Sequence, residues 1–289
     1  MTSIRIVTDS TVRFTSRGFF ERYPISIAPL SIHRGKTTLL ETGKYDPEQI
    51  DELFSSRDTL PVAVPPSVDT FTQLYTQLRK ETDQILSIHT SSQIIPSAAN
   101  ALTASQRFLG RCDIQVIDSQ TISVGLGLIV QAAVEAAAQG QDFDNLVRIV
   151  RGMIPRLYSI FSVDDLAYLE HNMLISRSQA ILGNMLGIIA LLTIEDGKII
   201  PMEKVRTRTR SIEKMVEFAS EFASVEHISI LHNSMRSLDE CRTLKDRLHS
   251  LYRGVPISIS EYGPSVATLI GPKSIGVVVL EAEDEERVL

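Results

Sequence analysis

Only two cysteines occur in the 289 residues, Cys112 and Cys241, far apart and without metal-type spacing, so neither a disulfide framework nor a zinc site is supported. A reducing cytoplasm suits such a chain. Basic charge is not in surplus either. With 29 Lys and Arg against 35 Asp and Glu, the formal net charge of −6 argues against nucleic acid as the main partner, because phosphate neutralisation needs a basic face. Long apolar runs are missing as well. The longest, over 180–194, is interrupted by Asn184 and two glycines and falls below the roughly 18 residues of a membrane span, so no transmembrane segment is expected. It reads as a helix end running into a buried strand. The amino terminus reaches a strand by Ile4 with no apolar signal core, so nothing there directs export.

Metal and nucleotide signatures are absent too. None of His33, His89, His171, His227, His232 and His249 stands at ligand spacing from another on one helix face, and His227 and His232, five apart on one strand, point to opposite sides. No metal and no cofactor is therefore expected. Ser123-Val124-Gly125-Leu126-Gly127 lacks the third glycine of a dinucleotide fingerprint, and its glycines read as letting a helix pack tightly on the sheet. No Gly-x-Ser-x-Gly elbow and no Ser/His/Asp grouping is visible.

What is present is an ordinary folding composition, 43% hydrophobic and 22% charged, in a chain long enough for two domains. The first half alternates strands (4–8, 25–32, 85–90, 114–118) with helices (11–22, 46–55, 67–79, 96–108, 124–138), the grammar of a parallel sheet with crossovers. Asp46-Pro47-Glu48-Gln49 offers an N-cap, a first-turn proline and a capping-box partner, and Gly140 suits a helix C-terminus. The pattern changes near Tyr158. Strands over 158–162, 227–232 and 256–261, a final strand after Gly276, helices over 164–169, from 176, 210–222 and 236–251, and a hairpin (188–194, 198–203) around Asp196-Gly197 describe a mixed domain. The expected fold is α/β in two domains: an N-terminal parallel-sheet α/β domain over 1–157 and a smaller C-terminal mixed α+β domain over 158–289. The acidic tail 281–287 reads as a solvated end.

In open α/β sheets ligands bind beyond the carboxyl ends of the strands. Three strands end there on small hydroxyl and acidic residues: Thr8-Asp9-Ser10-Thr11, His89-Thr90-Ser91-Ser92 and Asp118-Ser119. Asp9 invites a nucleophile reading, but the second carboxylate that such sites place two residues on is Thr11 here, and capping of the following helix by Asp9 and Ser10 is favoured. The turn from Ser91 through Ser92 to Ser97 resembles an anion cradle, yet contains no glycine to admit a phosphate closely. Lys204-Val205-Arg206-Thr207-Arg208-Thr209-Arg210 is the one dense basic stretch, readable as a solvated junction or as a patch for an acidic partner.

Taken in order, these motifs resemble the DegV family, the bacterial family that includes the fatty-acid-binding subunits of fatty acid kinase. The resemblance rests on Ile6-Val7-Thr8-Asp9-Ser10-Thr11, Pro66-Ser67 before Phe71, Ser87-Ile88-His89-Thr90-Ser91-Ser92, Val116-Ile117-Asp118-Ser119 with the Ser123 motif, Asp165-Leu166-Ala167-Tyr168-Leu169, Lys204-Val205-Arg206-Thr207 and Gly271-Pro272. It implies non-catalytic binding of a lipid or fatty-acid-like ligand in a tunnel between the domains. It also implies, as partner, a fatty acid kinase catalytic subunit.

The departures from the family pattern are systematic. The Thr-Ser that precedes Pro-Ser in the family reads Ala63-Val64, the serine of Leu-Ser-Gly-Thr reads Ile95, and the histidine before the last Gly-Pro reads Leu269. Gly-Gly-Arg has become Asn172-Met173-Leu174, which weakens the kinase role, and Lys-Pro has become Ile189-Ala190. A carboxylate buried without donors pays several kcal/mol and tends to protonate. The head-group end is thus expected at Ala63, Val64, Ser92, Ile95, Ser97, Ser123 and Leu269, with Arg206 as an anion or partner contact. Two alternatives stand beside it: a degenerate family member whose tunnel is filled by side chains and which acts through protein contacts, and an enzyme using Asp9, Ser10, Ser91 and Ser92 on a phosphorylated small molecule.

Overall fold

The computed structural model describes residues 4–16, 18–42, 47–55, 59–233 and 238–283. The chain divides into two units, the first comprising Met1–Ile154 with Asp196–Lys198 and Gly263–Ser265, the second Pro155–Glu195, Ile199–Tyr262 and Val266–Leu289.

The first unit runs β1 (Arg5–Asp9), α1 (Phe19–Arg22), β2 (Ile25–Ala28), β3 (Ser31–Arg34), β4 (Thr37–Leu40), α2 (Pro47–Phe54), β5 (Val62–Val64), α3 (Val68–Leu78), β6 (Gln84–His89), α4 (Ser97–Ser105), β7 (Asp113–Asp118), α5 (Val124–Ala138) and α6 (Phe143–Met153). Four of these strands pair in parallel in the order β2-β1-β6-β7. Ile6, Val7, Ile85, Leu86 and Ile88 are all buried, the near-continuous apolar reading of strands covered on both faces. Val7 and Ile85 join Phe71 and Tyr75 of α3 and Ala101 and Ala104 of α4 in one core cluster. Each large aliphatic side chain so enclosed contributes roughly 1.5–3 kcal/mol of transfer free energy. In this order β1 leads outward to β2 and β6 outward to β7, so the topological switch point lies between the carboxyl ends of β1 and β6.

Four local expectations are corrected here. The segment 25–32 is two strands in two sheets, parted at Pro29; β3 pairs antiparallel with β4 and with β5 in a separate three-stranded sheet that strand-helix alternation did not disclose. The helix expected over 11–22 shrinks to α1. The cause is tertiary: Arg13 N–H donates to the Ser123 carbonyl at 3.2 Å and Thr15 N–H to Gln131 Oε1 at 2.9 Å, so the chain after β1 pairs with α5 instead of with itself. Finally, α6 had no place in the sequence pattern, although Asp142 caps it by accepting from Asn145 N–H at 2.8 Å. The Asp46 cap and most of the acidic tail lie outside the described residues.

Onward from β8 (Leu157–Val163) come α7 (Ala167–His171), α8 (Arg177–Met185), β9 (Ile189–Glu195), β10 (Lys198–Val205), α9 (Arg208–Ser220), β11 (Val225–His232), α10 (Leu238–Leu251), β12 (Ile257–Glu261), α11 (Pro264–Ile270) and β13 (Ile275–Glu281). The sheet order is β10-β9-β8-β13-β11-β12, antiparallel except for the β11–β12 pair. Met215 and Phe218 of α9 and Leu244 and Leu248 of α10 pack on Ile160, Leu191, Ile228, Ile230, Val277 and Val279 as its core. The hairpin turn is as read from Asp196-Gly197: both residues take positive φ, 48° and 76°, as a type I′ turn requires. Ser176 begins α8 with a reciprocal capping box to Gln179. Among the described residues no helix is long and apolar enough to cross a membrane.

Candidate functional site

The carboxyl ends of β1 and β6 are tied together by one carboxylate. Asp9, fully buried, accepts Thr11 N–H at 3.1 Å and Thr11 Oγ1 at 2.6 Å on Oδ1, while Oδ2 takes Thr90 N–H at 2.9 Å and faces His89 Nδ1 at 3.3 Å. It therefore fixes two turns and caps no helix, which corrects the capping role expected for it. Behind it runs a polar chain through the core. His89 Nε2 lies 2.7 Å from Ser87 Oγ, and Ser87 Oγ 2.8 Å from the Tyr75 hydroxyl, with His89 edge-on to Phe71. Burial pushes the Tyr75 phenol up, so it stays protonated. One arrangement satisfies every member: Tyr75 donates to Ser87, Ser87 to His89 Nε2, and His89 Nδ1–H to Asp9.

A Ser/His/Asp grouping thus exists although none was visible in the sequence. Ser87 and His89 are two apart on β6 and share a face, which the period of a strand could have signalled; Asp9 comes from β1, 80 residues away. Ser87 Oγ is fully enclosed and engaged on both sides, by Tyr75 and by His89, so it is not presented to a substrate. The grouping positions the crevice turns.

A second buried carboxylate, Glu41, escaped sequence reading. Its Oε2 accepts Ser10 Oγ at 3.0 Å, and its Oε1 faces Arg13 Nη2 and Ser265 N–H, each at 3.4 Å. Ser10 Oγ in turn accepts Leu30 N–H at 2.9 Å. Burial pushes the Glu41 carboxyl above its usual range, and Arg13, Ser265 and Ser10 draw it only part of the way back. The folded protein then holds more protons than the unfolded chain at pH above the ordinary value of 4.5, and this group's contribution to stability falls as pH rises through that window. Glu41→Gln removes the titration. Urea unfolding at pH 4, 6 and 8 should therefore find the variant at its poorest relative to the wild-type chain at pH 4 and improving upward; a pH-independent difference would refute the coupling.

The candidate head-group residues fall in several places. Ser92, Ile95 and Ser97 follow β6: Ser92 N–H donates to Asp118 Oδ2 at 3.0 Å, Ile95 is buried, and Ser97 opens α4. Ser123 precedes α5 at φ 59°, a left-handed backbone that costs a non-glycine residue about 1–3 kcal/mol. The hydroxyls of Ser97 and Ser123 are fully buried and without a hydrogen-bond partner among the described residues. Ala63 and Val64 lie on β5, opposite Ile32 and Ser31, the first half-buried and the second exposed. Leu269, on α11, and Arg206, exposed after β10, belong to the second unit.

Two other expectations are settled by hydrogen bonds. Ser91 Oγ donates to the Gly197 carbonyl at 2.6 Å, so the anion cradle has lost that hydroxyl to the protein itself. The basic stretch is largely neutralised: Arg208 pairs with Asp164 and Glu240, and Arg210 with Glu213 and Glu217. Arg206 forms no ion pair with a described residue. Gly125 and Gly127 permit a close approach of α5, but to Thr121 and to the Arg13 backbone after β1 instead of to a strand of the sheet.

A parallel sheet with a polar switch point, followed by a mixed sheet, defines a two-unit α/β protein whose first unit gathers buried polar groups at the carboxyl ends of its strands. The family model for "Uncharacterised protein, DegV family" matches residues 3–282, and the chain belongs to that family. A DegV domain-containing protein of Halalkalibacterium halodurans is 31% identical over 96% of this chain and 98% of its own length. Protein DegV of Bacillus subtilis is 26% identical over 95% and 98%. Among solved structures, a fatty-acid-binding DegV family protein from Streptococcus agalactiae superposes with a TM-score of 0.85 at 23% identity, covering 98% of this chain and all of that one. The fatty-acid-binding DegV protein of Thermus thermophilus gives 0.83 at 24% identity, covering 97% of this chain.

Proposed function

We propose that this protein binds a long-chain, fatty-acid-like lipid without transforming it, and that the lipid's polar end is an uncharged hydrogen-bonding group. The observation that carries the reading is the pair of buried, unpartnered hydroxyls, Ser97 Oγ and Ser123 Oγ, each at the first turn of a helix that leaves the carboxyl edge of the parallel sheet. A buried hydroxyl without a partner costs about 1–3 kcal/mol, and a ligand that completes it recovers that cost. Fatty-acid binding by the Streptococcus agalactiae and Thermus thermophilus proteins supports the apolar part. Support for the neutral head comes from the first unit's own residues: Ala63, Val64 and Ile95 offer a carboxylate nothing, and Arg13, the cation beside the β1 turn, is already paired with Glu41.

The test is native mass spectrometry of the protein as purified, then titration with hexadecanol and with palmitate. A stoichiometric lipid and tighter binding of the alcohol are expected, and the double variant Ser97→Ala/Ser123→Ala should weaken the alcohol by about tenfold, two neutral hydrogen bonds' worth. Palmitate bound more tightly than hexadecanol, or a double variant as good as the parent, would sink the assignment.

One observation favours a second reading, action through contact with another macromolecule. Helix α8 buries its small residues, Ala180 and Gly183, and leaves Ile181, Leu182, Met185 and the following Leu186 exposed, the reverse of an ordinary surface helix. A protein that purifies empty and refuses both probes would favour that reading over lipid binding.

A further inference from the structure

At the opposite end of the same sheet, where β1 and β6 begin, the first unit holds a cavity of about 560 Å³. That is within the range of small-molecule sites, roughly 300–1,000 Å³. Its walls come from four stretches that are distant in sequence: Arg5 of β1, Tyr23 and Pro24 before β2, Gln84 of β6, and Ala138 and Phe143 on either side of the α5–α6 turn. Most of the lining is aliphatic or aromatic, so water there is easily displaced by an apolar molecule.

The polar group that gives this cavity chemistry is Arg5. Its Nη2 donates to Glu81 Oε2 at 2.7 Å, so its charge is already met. Its Nε is buried and has no hydrogen-bond partner among the described residues. The site therefore offers a donor without a net positive charge to match. Asp142, also in the lining, is occupied as the cap of α6, accepting from Asn145 N–H at 2.8 Å and from Asn145 Nδ2 at 3.2 Å. An acceptor that brings no charge completes Arg5, whereas an anion would have to displace Glu81 or face it.

We propose that this cavity is a ligand site distinct from the carboxyl edge of the sheet, and that it takes a small aromatic molecule bearing an uncharged carbonyl group. The ring lies among the apolar walls with Tyr23 and Phe143, and the carbonyl oxygen accepts from Arg5 Nε–H. Nothing in this assignment depends on the lipid reading.

The probe is phenylacetamide, titrated into the ¹⁵N-labelled full-length chain and followed by backbone amide shifts. Saturable shifts of the Arg5, Ile6, Gln84 and Phe143 amides are expected. Phenylacetate, of the same shape but charged, should bind more weakly. Arg5→Met keeps the aliphatic stem and removes the donor, and should weaken phenylacetamide by about tenfold, the worth of one hydrogen bond from a charged group. Ala138 is exposed, so Ala138→Leu should leave the fold and the urea midpoint intact while it narrows the cavity, and phenylacetamide should bind it several-fold more weakly. Should Arg5→Met fail to fold, Ala138→Leu decides alone. The proposal is overturned if phenylacetamide gives no saturable shift at those amides, if phenylacetate binds more tightly, or if Ala138→Leu binds as the parent does.

Discussion

Asp9→Asn should lower the stability of the chain by about 3 kcal/mol, and Asp9→Ala by about 4 or more, as read from urea unfolding followed by circular dichroism. The carboxylate is fully buried and serves four groups: Thr11 N–H, Thr11 Oγ1, Thr90 N–H and His89 Nδ1. An asparagine keeps one oxygen. If that oxygen stays with Thr11, the amide NH₂ is left facing the Thr90 N–H, a donor against a donor, with no water to take either. Alanine strands every one of these donors. Such a loss is a large share of the roughly 5–15 kcal/mol that holds a domain together. Asp118→Asn is the internal control. Asp118 likewise accepts two backbone N–H groups, from Ser92 at 3.0 Å and Gln120 at 2.9 Å, but it is only partly buried, so water compensates and the cost should stay near 1 kcal/mol. The comparison also separates functions. An aspartate nucleophile would give an Asp9→Asn protein with intact stability and lost turnover, whereas a structural clasp gives a destabilised protein.

The same carboxylate shows how far the sequence was legible. Strands ending at Asp9, at His89 and at Asp118 could be read from β-rich runs that stop at small polar residues, and the buried polar groups gather there. Periodicity also placed α3, α5, the β9–β10 hairpin and the second unit's strands within a few residues. What could not be read is where each polar group finds its partner. Thr8-Asp9-Ser10-Thr11 looks like a helix start because Asp and Ser cap helices, but here their acceptors are spent on Thr90, 81 residues on, and on Leu30. The 11–22 segment, rich in Thr, Val, Phe, Ser and Gly, has weak local helix propensity, and hydrogen bonds to Ser123 and Gln131 hold its first residues out of a helix, contacts that no local window contains. Glu41 followed the short β4 with nothing to mark it as buried, because the groups that meet it come from two distant stretches, Ser10 and Arg13 after β1 and, 224 residues beyond Glu41, Ser265. The candidate head-group serines are the reverse case. Ser97 and Ser123 were named for their place in the turns, and their missing partners are a property that only coordinates reveal.

Gly127→Ala should destabilise the chain by about 3 kcal/mol or more, with Gly152→Ala as a substitution of the same chemistry and opposite sign. Both glycines lie in helices. A Cβ built at Gly127 would stand 1.8 Å from the Arg13 carbonyl oxygen and 2.7 Å from its carbon, and because these are backbone atoms no rotamer change relieves the overlap. Either α5 withdraws or residues 12–15 do. The latter are held by Arg13 N–H to Ser123, by Thr15 N–H and hydroxyl to Gln131 Oε1, and by the Arg13 guanidinium to the Ser10 and Val12 carbonyls. Withdrawal of α5 instead moves Ser123, the residue beside the proposed head-group end, so the variant should lose hexadecanol binding along with stability. Gly152, exposed in α6 with nothing within 4 Å of the added carbon, meets no such obstacle. Alanine there lowers the entropy of the unfolded chain and improves helix propensity, a gain of about 0.5–1 kcal/mol. A pair of melting curves displaced in opposite directions is the expected result. Equal behaviour of the two variants would mean that the contact between α5 and the chain after β1 is not tight in solution, and the packing that positions Ser123 would have to be redrawn.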